Sequence, residues 1–280
     1  RSLAPLFLLT LVIGMTGFYK STYKKGPEVM SDLKDLQVAD SEVELIKMVI
    51  IDESGNTQVR EMISMIEPDA NGNLRYLIRF LSPSDIKGVT LLTIEDPKGG
   101  SEQYLYLPAL GEPRKISTSQ QSNYFMGSDF TFEDLRKEQP KDHQYYRLQD
   151  DEIEGEEVYV IMSAPAGIDI SESRDYDSRL LYIDKETYNI LKIEFYEEGK
   201  STPHKTFTGY DYNSKEVDGP TQRPHRAVMN NHEKKTTSIM TILKSRINQP
   251  LPTDIFTVEA MKEWSDQDDE EILALFETSQ

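Results

Sequence analysis

The sequence has no cysteine, and its 280 residues include only four histidines and one tryptophan. Without cysteine, the chain has no thiol nucleophile, no disulfide, no Cys-ligated zinc site and no lipobox cysteine for N-terminal acylation. The histidines fall on separate predicted loops or strand ends, without the i, i+4 spacing of a helical metal site; they are His143, His204, His225 and His232. We therefore predict neither a metal site nor a cofactor.

Motifs of common enzymes are also missing. The chain contains no GxSxG elbow, phosphate-binding P-loop, dinucleotide glycine fingerprint or HExxH helix. Asp129, Glu133 and Asp134 form an acidic cluster without an identifiable nucleophile or oxyanion partner, and capping of a helix that begins at Phe130 explains them more simply. A formal net charge of −18 argues against nucleic-acid binding. These absences predict a protein that is not an enzyme, has no catalytic residues and binds no nucleic acid.

The N-terminus carries a short apolar run over residues 3–17, which is followed by Lys20, Lys24 and Lys25. The run is too short for a comfortable membrane span and fits a signal peptide better, although residues 14–17 match a cleavage site poorly. A retained N-terminal anchor is the alternative. Residues 1–22 are therefore predicted to be a signal peptide or an anchor of an exported protein, and residues 263–280 an acidic C-terminal tail.

Most of the remaining sequence is typical of β-structure. Apolar and β-branched runs separated by turn signals predict about eleven strands, at residues 43–51, 59–66, 74–81, 89–94, 103–107, 157–162, 179–183, 190–196, 205–210, 226–229 and 236–243. Helices are predicted only at residues 28–36, 130–135 and 268–276, and disorder is the alternative for the last of these. So many consecutive strands indicate a meandering antiparallel sheet that must curl to bury one face.

Several ordered motifs carry a resemblance to a known family. They read RFLSPSDIKG at residues 79–88, LLTIE at 91–95, QYLYLPAL at 103–110, RKIS at 114–117, FMGSDFTFEDL at 125–135 and LPTDIFT at 251–257. This text resembles that of the outer membrane lipoprotein-sorting family, the LolA-like proteins. The resemblance implies a mainly β domain over residues 23–262. Its strongly curved antiparallel sheet would form an incomplete half β-barrel, with short helices and loops covering the concave apolar face.

The same resemblance implies a function. Proteins of this kind hold the acyl chains of a lipid or lipoprotein in a hydrophobic cavity in the periplasm of Gram-negative bacteria and transfer them toward the outer membrane. The expected partners are an inner-membrane exporter, for which the RND type is the candidate, and an outer-membrane acceptor. The carrier itself is expected to be a monomer. The alternative is a non-catalytic sensor or adaptor that docks on a membrane partner, RseB-like or pump-associated.

Residue alternation along the predicted strands suggests which side chains line the cavity. The predicted lining and its cover comprise Met48, Ile50, Met62, Leu77, Leu91, Leu105, Tyr124, Phe125, Met126, Phe130 and Phe132. The last five crowd large apolar groups into a glycine-containing loop, which is more than a solvated turn would carry. Gly127 is predicted to be the hinge of a lid. A fixed plug that completes the core is the equal alternative.

Overall fold

The computed structural model describes residues 23–36, 39–97, 100–138, 140–167, 174–212 and 223–277. The fold is mainly β, with one open sheet of fourteen antiparallel strands, as the sequence predicts. The strands are β1 Glu42–Ile51, β2 Thr57–Pro68, β3 Leu74–Ser82, β4 Thr90–Glu95, β5 Ser101–Tyr106, β6 Arg114–Lys115, β7 His143–Arg147, β8 Asp151–Ile153, β9 Glu156–Pro165, β10 Ser178–Asp184, β11 Ile190–Tyr196, β12 Lys205–Tyr210, β13 Arg226–Asn231 and β14 Thr236–Ile247.

The sheet consists of two meanders that meet in the middle. Its order is β6-β5-β4-β3-β2-β1-β14-β13-β12-β11-β10-β9-β7, and the short strand β8 also pairs with β9. The chain therefore moves outward from β1 to β6, crosses to the far edge at β7, and returns to β14. The first and last strands pair over their full length, with Met48 opposite Met240. This pairing joins the two halves into one surface.

All eleven predicted strands are present, with ends that shift by a few residues. The three strands that the sequence did not predict are β6, β7 and β8. Each is short or polar, and two of them are rich in charge, so neither length nor alternation distinguishes them from loops.

Within the described residues, three α-helices accompany the sheet: α1 Gly26–Asp35, α2 Ala260–Glu263 and α3 Asp266–Ala274. The predicted helices at residues 28–36 and 268–276 are confirmed as α1 and α3. Ser265 caps α3, because its hydroxyl accepts from the amide of Asp268. Across the described residues, no helix combines the length and apolar character that crossing a membrane requires. The predicted leader at residues 1–22 lies outside the described residues.

The predicted helix at residues 130–135 is wrong, because this stretch forms turns. Asp134 accepts from the amide of Thr131 at 2.8 Å, and the Thr131 hydroxyl accepts from the amide of Asp134 at 3.1 Å. These reciprocal bonds resemble a helix cap, but the chain does not continue into a helix after them. The same residue types satisfy a tight turn, so sequence alone did not distinguish the two.

The sheet has two faces, which different parts of the chain cover. The first face carries the buried side chains Ile46, Met48, Ile50, Met62, Phe80, Leu91 and Ile242, covered by residues 124–138, which we name the covering segment. The second face carries Val43, Ile63, Met65, Leu77 and Leu92, covered by residues 251–276, which we name the C-terminal segment. Strict alternation explains the division, since neighbours such as Met62 and Ile63 point to opposite faces.

Candidate functional site

The first face of β1 to β5 carries one contiguous apolar cluster. Met48 and Met62 are fully buried, and Leu91 is 1% exposed. They belong to one cluster, in which partly buried Leu105 and Met126 also pack. Methionine side chains have flexible, polarisable ends that adapt to surfaces of different shape. The region is therefore suited to contact aliphatic chains.

Aromatic rings of the covering segment fill this face. Phe125 is fully buried and stacks on Phe80 with ring centroids 5.6 Å apart, while Phe132 meets Phe125 edge-on at the same distance. Phe130 points instead into a neighbouring cluster with Tyr176, Phe195 and Met229. The covering segment thus spans the junction of the two meanders, and its rings occupy space that a bound apolar ligand would need.

The backbone of the covering segment turns sharply at Met126 and Gly127. Both residues have left-handed φ angles, 48° and 76° respectively. A Cβ added at Gly127 would meet no atom within 4 Å, so backbone conformation rather than space favours glycine there. The Arg60 guanidinium donates a hydrogen bond to the carbonyl oxygen of Met126 and ties the turn to β2. This is the position that the sequence predicts as a hinge.

A polar row crosses the first face in the second meander. The row runs from β7 to β14 and consists of residues that face each other on neighbouring strands, all of them polar except Phe195: Tyr145, Ser163, Arg179, Phe195, Lys205, Asn231 and Thr236. The covering segment lies along this row. Asp129 accepts from the Ser238 and Thr236 hydroxyls at one end, and Glu138 binds Arg179 near the other.

Lys205 is the most buried charge of the row, with no exposed surface. Its Nζ lies 2.8 Å from carboxylate oxygens of both Asp134, in the covering segment, and Asp175. Burial by itself lowers the pKa of Lys205, but the two carboxylates outweigh it and hold that pKa above its ordinary value. Lys205 is therefore a charged ammonium that needs anionic partners.

Arg179 is the second buried cation, 5% exposed. Its Nη2 donates to both carboxylate oxygens of Glu138, at 2.6 and 2.8 Å, and to Ser163. Burial raises the pKa of Glu138, but Arg179 and His143 outweigh it and lower that pKa to about 2. Tyr145 also donates to Glu138. The far end of the covering segment is thus held by a buried ion pair.

The structure brings most of the predicted site residues together. Met48, Ile50, Met62, Leu91, Leu105, Phe125, Met126 and Phe132 share the first cluster, and Phe130 lies in the adjoining one. Tyr124 lies at the polar row, where its hydroxyl accepts from Asn231 at 2.9 Å. Leu77 is the exception, because it packs on the second face. In β3, Ile78 and Phe80 point to the first face, so Leu77 must point away from it.

The buried cations Lys205 and Arg179 are not among the site residues that the sequence predicts. The sequence did contain an indication that Arg179 is buried. Arg179 alternates with Leu181 and Ile183, so it lies on the same face as these two residues, which are buried beneath α1. Lys205 begins its strand, and such a lysine is ordinarily solvated. Its burial depends on Asp134 and Asp175, which are distant in sequence.

Solved structures share this architecture. A protein domain assigned to outer membrane lipoprotein sorting, from Vibrio parahaemolyticus, superposes with a TM-score of 0.76 at 25% identity, covering 85% of this chain and 98% of that domain. A DUF1329 family protein from Desulfovibrio piger gives 0.74 at 18% identity, covering 84% and 97%. A LolA superfamily protein from Nitrosomonas europaea gives 0.64 at 17% identity, covering 84% and 98%. The last two show the fold alone.

Sequence comparison gives the family. No curated protein matches the chain significantly. A family model that is described only as an uncharacterized protein matches residues 72–263, well over half of the chain. That range includes β3 to β14, the covering segment and the polar row. The chain belongs to this family, and its fold is that of a domain assigned to outer membrane lipoprotein sorting and of a LolA superfamily protein.

Proposed function

We propose that the protein is a non-catalytic periplasmic carrier that binds acyl chains of a lipid or lipoprotein on the first face of its sheet. The observation that carries the proposal is the apolar first face, which is covered by a loop segment rather than by a second sheet or a long helix. Its resemblance to a domain assigned to outer membrane lipoprotein sorting supports the same function. An exporter in the inner membrane and an acceptor in the outer membrane are the partners that this function requires.

Binding requires the covering segment to move. Phe125 and its neighbours are packed with little or no exposure, and protein interiors are close-packed, so an acyl chain enters only where these rings leave. Gly127 and Met126, both already in left-handed conformations, are the pivot in this proposal. Met48, Met62, Leu91 and Leu105 stay on the strands and form the floor of the opened cavity.

The exchange is close to balanced in free energy. Each buried methylene contributes roughly 0.8 kcal/mol, and each phenylalanine side chain roughly 1.5–3 kcal/mol. Removing Phe125, Phe130 and Phe132 from the face therefore costs about as much as a chain of ten or so methylenes contributes on binding. A carrier needs this balance, because cargo held much more tightly than the covering segment would not be released.

A disulfide lock tests the mechanism, and the absence of native cysteine makes it selective. The Asp129 amide donates to the Ser238 hydroxyl at 2.8 Å, which brings these residues within reach of an engineered bridge between the covering segment and β14. We expect the Asp129→Cys/Ser238→Cys variant to bind a fluorescent fatty-acid probe when reduced and to lose binding when oxidised.

The reduced variant is the matched control, because it has the same sequence. Equal binding by both redox forms would show that the covering segment does not guard the site. Failure of the wild-type protein to bind acyl probes, or to carry lipid when purified from its own envelope, would contradict the carrier function itself.

A further inference from the structure

Three buried cations, Lys205, Arg179 and Arg174, pair with carboxylates of the covering segment in a protein whose net charge is −18. Lys205 and Arg179 sit in the polar row on β12 and β10, with Phe195 on β11 between them. Adjacent strands are about 4.8 Å apart, so their backbones are separated by roughly 10 Å. The first face therefore combines an apolar cluster in the first meander with buried cations in the second.

The covering segment supplies anions to both cations of the polar row. Asp134 pairs with Lys205, and Glu138 pairs with Arg179. When the covering segment leaves, Lys205 loses Asp134 and keeps Asp175, and Arg179 loses Glu138. The Nε of Arg179 makes no hydrogen bond even in the closed state. Uncompensated charges in a buried site are costly, so an open cavity favours a ligand that replaces the lost anions.

We propose that the ligand is an anionic amphiphile, whose acidic headgroup takes the place of the Asp134 and Glu138 carboxylates. Its acyl chains take the place of the Phe125, Phe130 and Phe132 rings. The covering segment, with aromatic groups beside carboxylates, is in this sense an internal mimic of the ligand. The inference rests on the carrier function proposed above and specifies the class of its cargo.

Calorimetric titration with monomeric short-chain lipids tests the proposed preference for an anionic headgroup. Dioctanoyl-phosphatidylglycerol and dioctanoyl-phosphatidylcholine have the same acyl chains but differ in net headgroup charge. We expect the wild-type protein to bind the anionic lipid at least fivefold more tightly, because hydrogen bonds to charged groups are the strong ones. Binding should also speed amide exchange at Phe125 and Phe132, whose amides donate to Phe130 and Asn123 in the closed state.

The outcomes separate the two proposals. A preference below fivefold would overturn the anionic class and leave the carrier function standing. Binding of neither lipid would count against the carrier function. Inorganic phosphate is the third ligand; if it binds as tightly as the anionic lipid, the site takes a free anion and the inference of a lipid headgroup fails.

A double substitution that removes both charges of one buried ion pair tests whether that pair sets the preference for an anionic lipid. Lys205→Gln combined with Asp134→Asn removes one buried ion pair while keeping side-chain volume, and His204 remains beside Asp175. This variant should lose most of the discrimination between the two lipids. The control neutralises the exposed pair Lys262 and Glu112, as Lys262→Gln/Glu112→Gln, and should keep the wild-type preference. If the first variant does not fold, the wild-type comparison still decides the question.

Discussion

The two segments that cover the sheet are attached in different ways. The C-terminal segment holds the second face through buried apolar side chains around a central ion pair. In that pair the Arg79 Nε lies 2.7 Å from Asp269, and Trp264 donates to the same carboxylate at 2.8 Å. The covering segment holds the first face through stacked rings and several carboxylates spread along a row of polar groups. One attachment is central, and the other is distributed.

This difference suggests separate roles. Arg79 also donates to the Gly88 carbonyl and the Thr90 hydroxyl, and its guanidinium lies over the Trp264 ring at 5.3 Å. No ligand group is needed to explain that arrangement, because every guanidinium nitrogen of Arg79 finds a partner within the fold. In the covering segment, by contrast, we propose that the partners are exchanged for those of a ligand. We interpret the second face as structural and the first as functional.

The largest expected effect comes from breaking the central attachment. Arg79→Ala leaves Asp269 buried without its cation, which costs about 3–5 kcal/mol of the free energy of unfolding. Urea unfolding followed by circular dichroism measures the loss. Lys262→Ala, which removes an exposed ion pair on the same segment, is the control and should cost less than about 1 kcal/mol.

The fluorescence of Trp264, the single tryptophan, shows whether the segment unfolds with the sheet. We expect its transition to coincide with that of circular dichroism in the variant. An early Trp264 transition, with the sheet unchanged, would show that the C-terminal segment is the detachable one and would reverse the comparison.

The next largest effect concerns the stability of the fold at low pH. The pKa of Glu138 is about 2, below its ordinary 4.5, so Glu138 stabilises the folded state above pH 4.5 and this stabilisation is lost as the pH falls toward 2. The full contribution of Glu138 to the free energy of unfolding is on the order of 3 kcal/mol. Glu133 acts in the opposite sense, because burial raises its pKa. Comparison with Glu138→Gln isolates the Glu138 contribution.

We expect the stability difference between wild type and Glu138→Gln to be largest near neutral pH and to shrink as the pH falls below 4.5. Amide exchange within residues 124–138, measured between pH 6 and pH 3 after correction for intrinsic rates, locates the effect. A difference that is independent of pH would mean that the Glu138–Arg179 pair does not hold the covering segment.

Much of the fold followed from the sequence, because local patterns determine strands. Runs such as residues 190–196 and 205–210 matched β11 and β12 to the residue. The pairing of β1 with β14 did not follow, since nothing local specifies contacts between residues two hundred positions apart. The aromatic cover was predicted from its crowded rings; Phe125 and Phe132 lie over the apolar cluster, whereas Phe130 and Tyr124 lie over the second meander.

The electrostatic part of the site was missed for the same reason. Asp134 looked like a helix cap, because a carboxylate beside Thr131 satisfies a turn and a cap equally well. Its pairing with Lys205 joins residues 71 positions apart. Leu77 was placed on the wrong face because β3 carries apolar side chains on both faces, with Leu77 on one and Ile78 and Phe80 on the other, so apolar character alone does not show which face a residue occupies.

The smallest expected effect tests the hinge, and two glycines make a matched pair. Gly127 in the covering segment and Gly72 in the β2–β3 turn both have positive φ angles, 76° and 84°, and no atom within 4 Å of an added Cβ. Alanine at either position strains the folded state by roughly 1–2 kcal/mol.

Gly72→Ala should lower global stability and leave binding of a fatty-acid probe unchanged. Gly127→Ala strains only the closed segment, so it should favour opening and tighten probe binding about fivefold or more. Equal probe affinities in the two variants would mean that Gly127 keeps its conformation on binding and that the pivot lies elsewhere.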